Sequence, residues 1–140
     1  LEKEFGGKAS PKDIENRFRE LMAQREVFAT LRAIEAAGSV VDYRPLDVRN
    51  SQAVERQIAD IQRTHKRPIR GLIHGAGVLA DKKIEEKTDE MFDSVFSTKI
   101  VGLQHLMAAL KDAPLKAIVQ YSTVPARFGR PGQVAWLPRV

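Results

Sequence analysis

Apolar positions along the chain fall into two spacings, helical and strand-like, and these alternate. From about Arg25, the residues Val27, Leu31 and Ile34 recur at helical spacing, and Gly38 stands where a left-handed terminating residue is expected. Upstream, Gly6-Gly7-Lys8-Ala9-Ser10-Pro11 reads as a linker whose Ser10 caps a separate short helix with Pro11 at its first position. Ser39 to Leu46, rich in Val and Tyr, reads as a strand ending at Asp47. Asn50 or Ser51 then caps a helix with Val54, Ile58 and Ile61 on its apolar face, closing in the polar run Arg63 to Pro68. Ile69 to His74 is a short apolar strand that enters Gly75-Ala76-Gly77. Thr88 caps the best-patterned helix: Asp89 and Glu90 suit its positive end, and Met91, Phe92, Val95, Ile100, Leu103 and Leu106 lie inside. Asp112-Ala113-Pro114 leads from it into a strand over Leu115 to Tyr121.

Strands alternating with helices through short polar joints predict an α/β fold, a three-layer, doubly wound parallel sheet of Rossmann-like type. In such sheets ligands sit beyond the carboxyl ends of the strands. That directs attention to Asp47-Val48, Gly75-Ala76-Gly77 and Ser122-Thr123.

Composition narrows the function classes. The absence of cysteine removes disulfides, thiolate metal sites and a cysteine nucleophile, and fits a reducing compartment, with the cytoplasm as the expected location. No metal site is expected. The net charge of +5 comes from Lys and Arg scattered among Glu and Asp, without the basic block or aromatic interleaving of a nucleic-acid surface, so no nucleic-acid partner is expected. No apolar run approaches the length of a membrane span, and the start, Leu1-Glu2-Lys3-Glu4, has no signal-peptide pattern.

The ordered series Leu46-Asp47-Val48, His74-Gly75-Ala76-Gly77-Val78, Lys99, Ser122-Thr123 and Gly132-Gln133 resembles the ketoreductase domains of modular polyketide and polyunsaturated-fatty-acid synthases, members of the short-chain dehydrogenase/reductase superfamily. Each motif alone recurs widely, and their order and spacing carry the resemblance. It divides the chain into residues 1–24, similar to an insert or linker helix region, a core over 25–133, and an off-pattern tail over 134–140. The resemblance implies NADPH-dependent reduction of a β-ketoacyl group on an acyl carrier protein, beside neighbouring synthase domains. The choice of NADPH comes from the family alone.

The resemblance also assigns roles. Asp47 and Val48 would contact the adenine; the plain alternative is that Asp47 starts the turn before Asn50. Gly75, Ala76 and Gly77 would let the backbone pass close to the ribose. Hydride transfer to a ketone leaves negative charge on oxygen, so the site needs hydrogen-bond donors and a proton source. In the family a Ser positions the carbonyl, a Tyr gives the proton, and a Lys lowers the Tyr pKa and holds the ribose. Lys99 takes the lysine role; otherwise it is a solvated helix residue. Counting back from Gly132-Gln133 puts Thr123 in the serine slot, with Ser122 as its substitute, and Trp136 in the tyrosine slot. An indole N–H has no acidic proton usable near neutral pH. Val140 stands where the family has Asn. His74 receives no role. Leu79-Ala80-Asp81 resembles the Leu-Asp-Asp mark of one stereochemical group of these reductases.

No Gly-x-Gly-x-x-Gly cradle is present. The expectation is therefore a central piece of a reductase that lacks two strands, leaves a gap between Ser39–Leu46 and Ile69–His74, and is inactive alone. The tail from Val134 reads as a shifted frame or a truncated end. The runner-up is a non-catalytic, structural ketoreductase-like domain in which Trp136 is native. A basic binding module would instead show salt-dependent association with nucleic acid.

Overall fold

The computed structural model describes residues 10–122, so Thr123, Gly132, Gln133, Trp136 and Val140 lie outside the described residues. The chain forms two compact units, Leu1–Arg44 and Pro45–Val140.

The first unit is built on α1 (Pro11–Ala36), one continuous helix of 26 residues where the sequence suggested a short helix and then a second. Local chemistry fixes both ends. Ser10 and Asp13 form a reciprocal capping box, and Pro11 occupies the first turn, where its missing N–H costs nothing. At the other end Gly38 takes a left-handed φ of 86°, its N–H bonding to Glu35 O and that of Ser39 to Ile34 O, a Schellman stop. Between the ends, apolar residues fall on two nearly opposite stripes. Val27 and Leu31 on one are half-buried, whereas Ile14, Phe18, Leu21 and Phe28 on the other are exposed. Two opposed stripes cancel the single-face periodicity by which a long helix is recognised.

The predicted strand over Ser39 to Leu46 is not formed: these residues are extended or irregular and have no ladder partner among the described residues. Val40 is 90% exposed. A β-branched sequence satisfies its backbone as a strand only when a neighbour supplies the other half of the ladder.

The second unit is a β-α-β arrangement. Helix α2 (Ser51–His65) is capped by the Asn50 side chain, which accepts from Ala53 N at 3.0 Å, and ends at Lys66 in the left-handed region. Strand β1 (Gly71–His74) pairs in parallel with β2 (Ala117–Gln120), Gly71 opposite Ala117 and His74 opposite Gln120. Bonds from Lys116 N to Arg70 O and from Tyr121 N to His74 O prolong the ladder at both ends. Between the strands run a short 3₁₀ turn (Ile84–Glu86), α3 (Asp89–Phe96) capped by Thr88, a π-helical turn (Ser97–Val101) and α4 (Gly102–Ala109).

Burial alternates along β1, and its inward residue Leu72 meets Val54 and Ile58 of α2 and Leu106 and Leu110 of the α4 region in one core. Leu46, Val48, Ile69 and Leu103 pack around it. The opposite face of the sheet is open among the described residues, with Ile73 and its ladder partner Val119 69% and 45% exposed. The parallel α/β fold is thus the expected one. Of its three layers, the described residues form the sheet and one layer of helices.

Candidate active site

The strand ends, the loop before α2 and the α3–α4 helix converge within the second unit. Asp47 begins the turn into α2: Asn50 N bonds to its carbonyl at 3.1 Å, and Arg49 N to its Oδ1 at 3.0 Å. The Arg49 guanidinium grips the same carboxylate, with Nε 2.9 Å from Oδ1 and a terminal nitrogen 2.8 Å from Oδ2. These side-chain bonds first, and the Arg49 backbone N–H second, pull the Asp47 pKa down to about 2. The turn role of Asp47 is therefore realised, and the carboxylate stays ionised at any physiological pH.

Val48 is fixed from the helix. Its carbonyl lies 3.0 Å from His105 Nδ1, and its side chain rests on Gly102, where an added Cβ would come 2.6 Å from Val48 Cγ2. Gly102 is a contact glycine in a helix, accepted despite a cost of about 1 kcal/mol relative to Ala. Replacing Gly102 with Ala is expected to destabilise the protein by up to about 2 kcal/mol, because overpacking of about 1–3 kcal/mol exceeds a propensity gain of about 1 kcal/mol. Urea unfolding of the two proteins checks this; a more stable Ala variant would show that Val48 yields without cost.

An open cleft of about 790 Å³ runs past this loop. Asp47 and Val48 form one wall, Ala76, Gly77 and Val78 another, and Ser94 and Thr98 reach it from the helix. Four of the sequence-derived cofactor residues, Asp47, Val48, Ala76 and Gly77, thus share one cavity. Gly75 does not line it: an added Cβ there would lie an ordinary 3.4 Å from the Tyr121 ring, so the protein itself leaves room for a side chain.

Lys99 sits in the π turn. Gly102 N bonds back five residues to Ser97 O, the π signature, while the hydroxyls of Ser97 and Thr98 bond to the carbonyls of Asp93 and Ser94. From this turn Lys99 Nζ reaches the carbonyl of Tyr121, at 3.0 Å. The next residue is Ser122, so the ammonium is held at the strand end beside one candidate hydroxyl. Partial burial lowers the Lys99 pKa below the ordinary lysine value. Thr123 and Trp136 lie outside the described residues.

A residue without a role in the sequence reading, His74, proves to be built into this site. It is the last residue of β1, 3% exposed, and its Nε2 lies 2.9 Å from the Lys99 carbonyl. The signal for it was its inward position in the strand immediately before the glycines. Leu79-Ala80-Asp81 lies in the loop beyond the cleft, where Lys87 Nζ donates to the Ala80 carbonyl at 2.9 Å. Among the described residues there is no cluster of metal-ligating side chains and no helix long and apolar enough to cross a membrane.

Comparison with known proteins follows the same lines. The family profile described as "KR domain" matches residues 16–138. The chain is 32% identical over 128 residues to one component of the polyunsaturated fatty acid synthase of Thraustochytrium sp., covering 91% of this chain and 5% of that protein. It is 32% identical over 103 residues to polyketide synthase PksN of Bacillus subtilis, covering 74% of this chain and 2% of that one. Among solved structures, an N-terminal ketoreductase from the macrolactin assembly line superposes with a TM-score of 0.75 at 29% identity, over 80% of this chain and 23% of that chain. A ketoreductase domain from the bacillaene assembly line gives 0.70 at 34% identity, over 76% of this chain and 25% of that one.

Proposed function

The chain belongs to the KR domain family, and from that premise we propose that it forms part of an NADPH-dependent reductase of β-ketoacyl thioesters carried on an acyl carrier protein within a multidomain synthase. The observation that carries the reading is Lys99, whose ammonium is tied to the carbonyl just before Ser122, at the mouth of a parallel sheet beside the Asp47–Gly77 cleft.

The cleft fits such a nucleotide by its chemistry. Asp47 presents a carboxylate acceptor to an adenine amine, Ala76-Gly77 gives a wall low enough for a ribose, and Lys99, held at the adjoining strand end outside the cleft lining, would offer donors to ribose hydroxyls. When bound, the nicotinamide supplies the hydride. The protein's own part is electrostatic: a hydroxyl from Thr123 or Ser122 donates to the ketone oxygen, and the Lys99 charge favours the alkoxide that develops there. Partial burial strengthens that field relative to water.

The final proton is where this chain departs from its family, since Trp136 offers an indole where a phenol is needed. That one residue favours the second reading, a non-catalytic ketoreductase-like domain that positions its neighbours. The two separate in one assay: oxidation of NADPH, compared with NADH, by the full-length protein given a β-ketoacyl pantetheine thioester. The catalytic reading expects a slow NADPH-dependent reaction, the alkoxide taking its proton from solvent water, that Trp136→Tyr accelerates about 10²-fold or more, the scale of general acid catalysis. Nucleotide binding with no reduction by either protein would leave the non-catalytic reading standing. The 140-residue chain alone is expected to be inactive.

A further inference from the structure

Strand β1 ends in a buried histidine whose hydrogen-bonding edge is turned onto the backbone of the residue that bears the site's ammonium. His74 and Lys99 are 25 positions apart, in different layers, and the 2.9 Å contact joins strand end to helix at the π turn. Because a carbonyl can only accept, the imidazole nitrogen facing it carries the proton. Burying an imidazole is unfavourable unless its polar atoms are bonded, so a 3% exposed histidine at this point is strongly tied to its partner.

The partner matters because of where it sits. A π turn holds one residue more than an α turn, and its relaxation rotates the helix on either side by about 100° per residue. Such a rotation would carry Lys99 Nζ away from the Tyr121 carbonyl and from Ser122. The Ser97 and Thr98 hydroxyls loosen the helix locally, but their bonds stay within one helix and set no register against the sheet. The bond from His74 does set it, and the chain leads from His74 through Gly75 into Ala76 and Gly77 of the cleft wall.

We propose that His74 is a positioning residue for Lys99: through the Lys99 carbonyl it locks the π turn in the register that delivers the ammonium to the end of β2. The assignment of Lys99 to reduction rests on the function proposed above; the positioning itself does not. His74 touches neither nucleotide nor substrate in this scheme, and its contribution is geometric.

Two variants and two readouts test it in the full-length protein. His74→Leu keeps apolar bulk and removes the donor; His74→Gln keeps an amide N–H at a similar reach. Competitive labelling of Lys99 across pH, read by peptide mass spectrometry, follows the environment of the ammonium whether or not the protein is a reductase. Expected for His74→Leu is a Lys99 titration moved up toward that of an ordinary exposed lysine, with His74→Gln restoring the wild-type curve. In the Trp136→Tyr background, kcat at saturating NADPH should fall about 10²-fold for His74→Leu, the scale of a misplaced catalytic group, and recover in His74→Gln. A purely structural histidine would lower unfolding stability in His74→Leu yet leave the Lys99 titration and kcat of the folded protein unchanged, and that result overturns the proposal. Failure of His74→Gln to restore a folded protein's Lys99 titration overturns it as well. If no variant reduces the thioester while the labelling shifts as expected, the proposed function fails and the positioning role survives.

Discussion

Lys99→Met, made in full-length protein carrying Trp136→Tyr, should lower kcat/KM for β-ketoacyl reduction about 10²–10³-fold, the loss seen when one preorganised donor to a developing oxyanion is removed. Met preserves the unbranched stem and helix propensity while deleting the charge, so the fold and the π turn should persist. Two effects combine. The variant loses the ammonium held at the Tyr121 carbonyl beside Ser122 and, on the proposed role, the donors that Lys99 would offer to the nucleotide ribose. The first lowers kcat, the second raises KM for NADPH, and steady-state kinetics at varied nucleotide separates them. A change of less than a few-fold in both would return Lys99 to the status of a solvated helix residue.

Leu110→Ala should cost about 2–5 kcal/mol, the range for truncating a buried leucine that leaves a cavity. Leu110 is 2% exposed and meets Val54, Ile58, Leu72 and Leu106 in the core of the second unit. That core joins α2, β1 and the end of α4, so one truncation loosens the layer contact that holds the strand end and the helix together. Small domains have only about 5–15 kcal/mol in total. Urea or thermal unfolding of the 140-residue chain should show the transition moved far toward native conditions or lost. Val40→Ala, at a position 90% exposed, should change stability by less than about 0.5 kcal/mol.

What the sequence made legible was mostly local. The caps at Ser10, Asn50 and Thr88, the stop at Gly38 and the inward residues Val54, Ile58, Val95 and Leu106 all follow from chemistry within a few positions, and the structure has them as expected. The two strands into Gly75 and Ser122 were legible as short apolar runs between polar joints, and they pair in parallel. Ser39 to Leu46 has the composition of a strand, but composition does not provide a ladder partner, and it forms none among the described residues. The unity of α1 was obscured by its two opposed apolar stripes, because periodicity reports one buried face at a time.

The site divides in the same way. Asp47, Val48, Ala76, Gly77 and Lys99 were singled out by likeness to a family, and the structure brings the first four into one cleft and sets Lys99 at the adjoining strand end. The fixing of Lys99 was invisible, since neither a π turn nor a bond from His74 to a backbone carbonyl leaves a pattern in side-chain identity. Gly102 and His105 escaped for the same reason: each serves the backbone or side chain of Val48 from a helix more than fifty positions away, and only the folded layers bring them together.

On the proposed function, the open cleft between Asp47-Val48 and Ala76-Gly77, reached by Ser94 and Thr98, receives a nicotinamide nucleotide. Amide hydrogen exchange of the full-length protein with and without NADPH tests it most directly. Bound NADPH should slow exchange over residues 47–49, 75–78 and 94–99. Protection confined to other segments, with these three unchanged at saturating NADPH, would contradict it.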